Sequence, residues 1–105
     1  MSKGYWVTWY HAIDDPAVHE RYAAAATAAI EAFGGRFLTR GLAVASFEGH
    51  GKGPQRCVVV EFDSAAMAVA AYESAAYRAA LALLGSSADR EVRILQGTEI
   101  PGSPE

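Results

Sequence analysis

The sequence contains little cysteine, no long hydrophobic run and no cluster of basic residues. Its single cysteine, Cys57, excludes an internal disulfide and a zinc site built from several cysteines. No apolar run approaches the roughly 18 residues that suggest a membrane-spanning helix. The opening residues 1–6 also lack the charged-then-apolar pattern of a secretory signal. We therefore expect a cytoplasmic protein with no membrane partner.

Charge and glycine spacing exclude two further classes of partner. Nine Lys and Arg residues are scattered along the chain against twelve Asp and Glu, giving a net charge of −3. Binding to nucleic acid needs a basic face to neutralise phosphates, so we predict no nucleic-acid partner. Gly49, Gly51 and Gly53 do not open a helix and so do not form a phosphate loop. With three dispersed histidines, no metal site and no cofactor are predicted.

The length of 105 residues predicts a single domain, since domains cluster at about 100–150 residues. We expect residues 1–105 to form one α+β unit with an ordered core over about 3–97. Residues 98–105, rich in proline and glycine, are expected to form a frayed C-terminal tail.

Residue patterns predict an alternation of strands and helices. Strands are expected where aromatic or β-branched residues concentrate, and helices where alanine dominates between capping residues and glycines. The predicted strands are 5–11, 36–40 continuing or bending after Gly41 into 42–48, 55–63 and 91–96, and the predicted helices are 16–33, 65–73 and 75–84.

The first helix shows the most detailed pattern. Asp15 is placed to cap it, and Pro16 suits its first position because the missing N–H is not needed there. An apolar stripe is predicted to face the core, formed by Val18, Tyr22, Ala25, Ala26, Ala29, Ile30 and Phe33. His19 is expected on the polar, solvent-facing side.

This order of elements predicts a ferredoxin-like split βαβ sandwich, with a four-stranded antiparallel sheet and helices on one face. The other face carries aromatic residues of the first strand. It also carries either Val58, Val60 and Phe62 or Cys57, Val59 and Glu61 of the central strand. Because monomers rarely expose large apolar patches, we predict a homodimer in which two such faces meet.

Several strings along the chain resemble one known family. They are Lys3-Gly4-Tyr5-Trp6-Val7, Asp15-Pro16 with Tyr22, residues 34–41 (GGRFLTRG), Glu48-Gly49, residues 56–64 (RCVVVEFDS) and Ser74-Ala75-Ala76-Tyr77. The chain resembles the domain-of-unknown-function 1330 family, within the dimeric α+β barrel superfamily, over about residues 3–97. The resemblance implies a ferredoxin-like protomer and a dimer, and it implies no particular reaction.

Glu61 is the first candidate for catalysis. An ionised carboxylate in an otherwise apolar strand is costly unless it is paired, so Glu61 should face a cavity or meet Arg36, Arg40 or Arg56. A general base and a structural ion pair both satisfy this requirement.

Arg36 and Arg40 are candidate ligand-binding residues. Four positions apart on a strand, they are predicted to share a face with Leu38 and could grip a carboxylate or a carbonyl group. Pairing with glutamate is the alternative.

His11, at a strand end, and His50, in the glycine loop, are candidate catalytic bases because histidine titrates near neutral pH.

Trp6 and Trp9 could line an aromatic slot for an apolar ligand, or could equally belong to the core or the dimer interface.

Two functions of the protein stay open. The first is a cofactor-independent enzyme acting on a small molecule in a pocket between sheet and helices. The second is a non-catalytic dimeric protein that binds a small apolar or anionic ligand or acts as an accessory protein.

Overall fold

The computed structural model describes residues 2–49 and 56–99. Four strands and three helices follow the predicted order. They are β1 (Gly4–Ile13), α1 (Pro16–Ala32), β2 (Arg36–Leu42), β3 (Arg56–Phe62), α2 (Ala65–Glu73), α3 (Ala75–Leu84) and β4 (Ala88–Gln96). Among these helices, none is long and apolar enough to cross a bilayer.

The sheet has the strand order β2-β3-β1-β4, and every neighbouring pair is antiparallel. All three helices contribute buried residues to one core, which packs on Trp6, Val60 and Phe62 of the two central strands. The helices therefore cover one face of the sheet, here called the covered face. The predicted ferredoxin-like α+β fold is confirmed.

Side-chain alternation assigns the central strands to the two faces. Trp6, Thr8 and Tyr10 of β1 are buried on the covered face, and the register places Val60 opposite Trp6. The opposite side, called the open face, carries Tyr5, Val7 and Trp9 of β1 and Cys57, Val59 and Glu61 of β3. Of the two alternatives for β3, the second therefore holds.

Helix boundaries follow the capping residues. The Asp15 carboxylate accepts hydrogen bonds from the N–H groups of Ala17 and Val18, at 3.1 and 3.2 Å. Ser64 caps α2 and Ser74 caps α3 through the backbone N–H groups of Met67 and Tyr77. These side chains satisfy donors that the first helical turn leaves unpaired.

Strand β2 differs from its prediction in two respects. It ends at Leu42, which lies opposite Arg56, the first residue of β3. Residues 43–48 form no strand because β3 offers no partner beyond Arg56 in the described chain. The irregularity expected at Gly41 instead lies between Phe37 and Thr39.

This irregularity separates two arginines that were predicted to share a face. Arg36 lies opposite Glu61 on the open face, whereas Arg40 lies opposite Val58 and lines the covered face. One extra residue, Leu38, shifts the alternation of the strand by one position. The prediction that Arg36, Leu38 and Arg40 lie together is therefore wrong.

Candidate functional site

A cavity of about 40 Å³ lies between the covered face and helix α1. Its apolar walls include Trp6, Val58 and Val60 of the sheet and Ala23 and Ala26 of the helix. Polar side chains line the rest: Thr8, Tyr10, His19, Tyr22, Thr27, Arg40, Arg56 and Arg90. An apolar cavity with a few convergent polar groups is the usual form of a small-molecule site.

Arg90 is the centre of the polar part. Its guanidinium group donates to the Tyr22 hydroxyl at 2.8 Å, to the Tyr77 hydroxyl at 3.1 Å and to the Tyr10 hydroxyl at 3.4 Å. The hydroxyls of Tyr22 and Tyr77 are themselves hydrogen-bonded at 2.6 Å. We call Arg90 with these three tyrosines the arginine–tyrosine cluster.

Four elements bring the cluster together. Tyr10 of β1 lies opposite Arg90 of β4, so both side chains reach the covered face. Tyr22 comes from α1 and Tyr77 from α3, where both are buried. Burial raises the pKa of all three tyrosines, so their hydroxyls stay protonated near neutral pH.

His19 extends the cluster towards the mouth of the cavity. Its Nε2 lies 2.9 Å from the Tyr10 hydroxyl. Burial, followed by the charges of Arg56 and Arg90, lowers the pKa of the imidazole, which favours its neutral form. A neutral ring nitrogen at this distance can accept a hydrogen bond from the Tyr10 hydroxyl.

The expected solvent-facing position of His19 is therefore wrong. His19 precedes Tyr22 by three residues, Ala23 by four and Ala26 by seven, a spacing that puts all four on one helix face. The predicted apolar stripe began at Val18 and therefore left His19 out.

Two further arginines lie on the cavity wall. The Arg40 guanidinium carbon is 3.9 Å from the centre of the Phe37 ring, a cation–π contact. The Arg56 Nε atom is buried and has no hydrogen-bond partner in the described part of the chain. None of the described residues that line the cavity is acidic.

Of the seven residues predicted from sequence, two line this cavity: Arg40 and Trp6. Trp6 is only 1% exposed, and its indole N–H donates to the Thr8 hydroxyl at 2.9 Å. Trp6 thus belongs to the core and also lines the cavity, and its contact with a ligand stays a prediction. His50 lies outside the described residues.

The other four predicted residues lie on the open face or its rim. Arg36 donates to the Glu61 carboxylate from Nε at 3.2 Å and from its terminal nitrogen at 3.1 Å. The Tyr5 hydroxyl donates to the second carboxylate oxygen at 3.1 Å. Arg36, and to a lesser extent Tyr5, holds the pKa of Glu61 below its usual range. The expected pairing of Glu61 with an arginine is confirmed.

Trp9 and His11 lie near the end of β1. Trp9 is half-buried on the open face, and it lines a shallow depression with Glu91, Arg93 and Leu95 of β4. His11 Nε2 lies 2.8 Å from the Glu91 carboxylate. The structure therefore separates the predicted residues into two sites on opposite sides of the sheet.

Arg90 is the residue that sequence reasoning missed. It alternates with Val92 and Ile94, both packed against the core, so an arginine stands in a buried row of β4. The sequence shows this alternation, but the predicted strand began at Glu91 and therefore did not include Arg90.

The chemistry available in the cavity comes from arginine, tyrosine and histidine. Within residues 2–49 and 56–99, no group of three or more His, Cys, Asp or Glu side chains could hold a metal ion. Cys57 lies on the open face, and desolvation raises the pKa of its thiol, which leaves it a poor nucleophile.

Solved structures define the class of protein to which this architecture belongs. A protein of unknown function from Rhodopseudomonas palustris superimposes with a TM-score of 0.73 at 14% sequence identity, covering 94% of this chain and 85% of that one. A dimeric ferredoxin-like protein of unknown function from Thermobifida fusca YX gives 0.60 at 19% identity, covering 90% of each chain. A hypothetical Arabidopsis thaliana protein, solved in solution, gives 0.59 at 15% identity, covering 98% and 91%. The chain is thus a ferredoxin-like α+β protein.

The sequence itself gives the family. The model of the domain of unknown function DUF1330 matches residues 3–98, and the chain belongs to this family, as its motifs predicted. The comparison with curated proteins found no match.

Proposed function

We propose that this chain is a dimeric small-molecule-binding protein with one ligand site per protomer, in the cavity between the sheet and α1. The observation that supports it is the arginine–tyrosine cluster beside that cavity. Burying polar groups costs free energy unless they find hydrogen-bond partners. Here polar side chains line the cavity together with apolar ones, so they can orient a ligand.

Filling the cavity tests this proposal. Ala23 lines the cavity, whereas Ala24, the next residue of α1, is exposed. Ala23→Leu should abolish binding of fragments detected by ligand-observed NMR, and Ala24→Leu should leave their binding unchanged. The fragment set contains neutral and charged aromatic and aliphatic compounds. Equal binding of the same fragments by the wild type and Ala23→Leu would place their site elsewhere and contradict the proposal.

Catalysis in the same cavity is the second candidate, and the contact between His19 and Tyr10 favours it. A neutral imidazole 2.9 Å from a phenol hydroxyl can pass a proton between solvent and a bound molecule. Fragments that bind should then be converted by the wild type and not by His19→Gln, as followed by new NMR resonances. Unchanged fragments after prolonged incubation would leave binding as the only activity.

Four predicted site residues lie outside the cavity and remain proposals: Glu61, His11, Arg36 and Trp9. They lie on the open face, so any ligand they contact would lie between that face and a second protomer. His50 remains a proposed catalytic residue at the glycine loop.

We propose that dimerisation joins the two open faces. The two central strands and the edge strand β4 offer Val7, Val59 and Leu95 on this side, and Leu95 is 53% exposed in the protomer. A neighbour of the same fold is described as dimeric, which supports this arrangement. Sedimentation equilibrium should give twice the chain mass of 11.1 kDa at micromolar concentration. A single species at the chain mass would refute the dimer and leave the cavity proposal intact.

A further inference from the structure

We infer that the ligand of the cavity is an organic carboxylate, whose charged group pairs with Arg90 and Arg56 and whose apolar part lies against Trp6 and Val60. This inference rests on the proposed function, since it concerns the same cavity. It adds the charge and the chemical class of the ligand.

The first argument is that Arg90 has only neutral partners. Each of its recorded hydrogen bonds ends on a tyrosine hydroxyl, and its guanidinium carbon lies 4.8 Å from the centre of the Tyr22 ring. A half-buried cation is usually paired with a carboxylate, because desolvation is otherwise uncompensated. Hydroxyls and rings orient the guanidinium group but do not neutralise it.

The second argument is the imbalance of charge around the cavity. Arg40, Arg56 and Arg90 line it, and no described lining residue is acidic. The field of two of these arginines is strong enough to contribute to the lowered pKa of His19. An anion entering the cavity would meet three positive charges and no negative one.

Three acidic residues on or next to β3 and β4 pair with cations outside the cavity. Glu61 pairs with Arg36, and Asp63 pairs with Lys3 at 3.4 Å. Glu91 pairs with His11 and with Arg93 on the open face. The open-face arginines Arg36 and Arg93 thus have acidic partners, whereas none of the described residues that line the cavity is acidic.

The third argument is the Arg56 Nε atom. It is buried, it belongs to a side chain that lines the same space, and it lacks a hydrogen-bond partner among the described residues. A buried donor without a partner costs about 1–3 kcal/mol, so such atoms call for an explanation. A carboxylate oxygen in the cavity would satisfy it.

Size and lining favour a carboxylate over a phosphate. A cavity of 40 Å³ has room for about three water molecules, which suits a planar two-oxygen group better than a tetrahedral dianion. The planar fork of a guanidinium group matches carboxylate geometry directly. The apolar remainder of the wall, including Ile30 and Phe37, suits a short aliphatic chain.

The test compares acids with their neutral amides. Acetate and propionate are titrated against acetamide and propionamide, with inorganic phosphate as a third arm. Binding is followed by calorimetry and by the indole N–H resonance of Trp6, which Trp9→Phe distinguishes from that of Trp9. Each acid should bind at least about tenfold more tightly than its amide, because a charge-assisted hydrogen bond replaces a neutral one.

Removing one cavity charge should remove the preference. Arg56→Gln should weaken acid binding about tenfold and leave amide binding within about twofold. Arg40→Gln gives a second variant at a more exposed position. Arg21→Gln is the matched control, since it removes the same charge from an exposed position of α1 outside the cavity. It should leave both affinities unchanged.

The outcomes separate the two proposals. Amides that bind as tightly as acids, or phosphate that binds more tightly than either acid, would overturn the carboxylate inference while leaving a ligand site in place. Acids that bind equally to wild type and Arg56→Gln would overturn it as well. If no probe, charged or neutral, shifts the Trp6 resonance, both this inference and the proposed site fail.

Discussion

At the scale of single residues, the arginine–tyrosine cluster links stability to the cavity. Tyr77 is fully buried, and its hydroxyl contacts both Tyr22 and Arg90. Every hydrogen bond in the cluster shares a partner with another, so removal of one hydroxyl leaves at least one polar group unsatisfied.

We therefore expect Tyr77→Phe to lower the free energy of unfolding by about 1–3 kcal/mol, the usual cost of an unsatisfied buried group. Urea denaturation measures it. Tyr72→Phe is the control, because the Tyr72 ring packs 5.0 Å from that of Tyr77 while its hydroxyl makes no hydrogen bond to another described residue. It should stay within about 0.5 kcal/mol of wild type. Equal effects of the two substitutions would show that the cluster adds no stability.

The lowered pKa of His19 makes stability depend on pH. Burial, with the charges of Arg56 and Arg90, moves this pKa below the ordinary value of 6.5 in the folded protein. The unfolded chain then binds more protons near that pH. The neutral His19 imidazole thus contributes stability that is complete above pH 6.5 and is lost as the pH falls towards the pKa of His19 in the folded protein.

Wild type should accordingly lose more unfolding free energy than His19→Gln between about pH 7.5 and 5.5. Glutamine keeps a hydrogen-bonding group beside Tyr10 but cannot take up a proton in this range. Arg21→Gln, on the same helix, should keep the wild-type slope. Parallel slopes for wild type and His19→Gln would contradict the placement of His19 in a positive, desolvated site.

At the scale of elements, local sequence signals determined most boundaries. The three helices have the predicted bounds to within one residue. Their ends coincide with local signals in the sequence, namely Asp15-Pro16, Ser64, Ser74 and Gly85. The irregularity in β2 could not be predicted in this way. It depends on how β2 pairs with β3, a non-local contact, and it reversed the expected face of Arg40.

Ser74 shows how a cap supports the site. Its hydroxyl accepts from the Tyr77 N–H at 3.2 Å and donates to the Ala71 carbonyl at 2.7 Å, joining the end of α2 to the start of α3. Ser74→Ala should destabilise the protein by about 1 kcal/mol and loosen Tyr77. Thermal unfolding measures the first effect, and hydrogen exchange of the Tyr77 amide measures the second.

Ser86→Ala is the control for this prediction, since Ser86 is exposed and caps no helix. It should change stability by less than about 0.5 kcal/mol. A Ser74→Ala protein with wild-type stability and exchange would mean that packing alone positions α3.

At the scale of the whole molecule, the sheet separates two surfaces of different character. The open face pairs its charges internally around half-buried apolar residues, and the covered face holds a cavity lined by three arginines and by no described acidic residue. Alternation along the strands predicted that two such faces exist. It could not predict the cavity, which depends on how α1 packs across the sheet.

The proposed dimer depends on Val59, which lies half-buried at the centre of the open face. Val59→Asp should convert the dimer to a monomer, because an interface would bury its unpaired charge. Val69→Asp places the same charge on α2, where the side chain is 41% exposed, and should remain dimeric. Sedimentation equilibrium decides between the two results. A Val59→Asp protein that still sediments as a dimer would place the interface on another surface.

The extra residue in β2 has a consequence for how the two surfaces can change. Arg36 and Arg40 are separated by an even number of positions, yet they serve opposite sides because Leu38 alters the parity of the strand. If Leu38 paired regularly with Val59, Arg40 would lie opposite Cys57, which would remove a cation from the cavity and add one to the side that pairs with Glu61. Deletion of Leu38 would instead keep Arg40 opposite Val58, because the remaining residues already pair in that register. The irregularity of this edge strand therefore sets the charge of both surfaces at once.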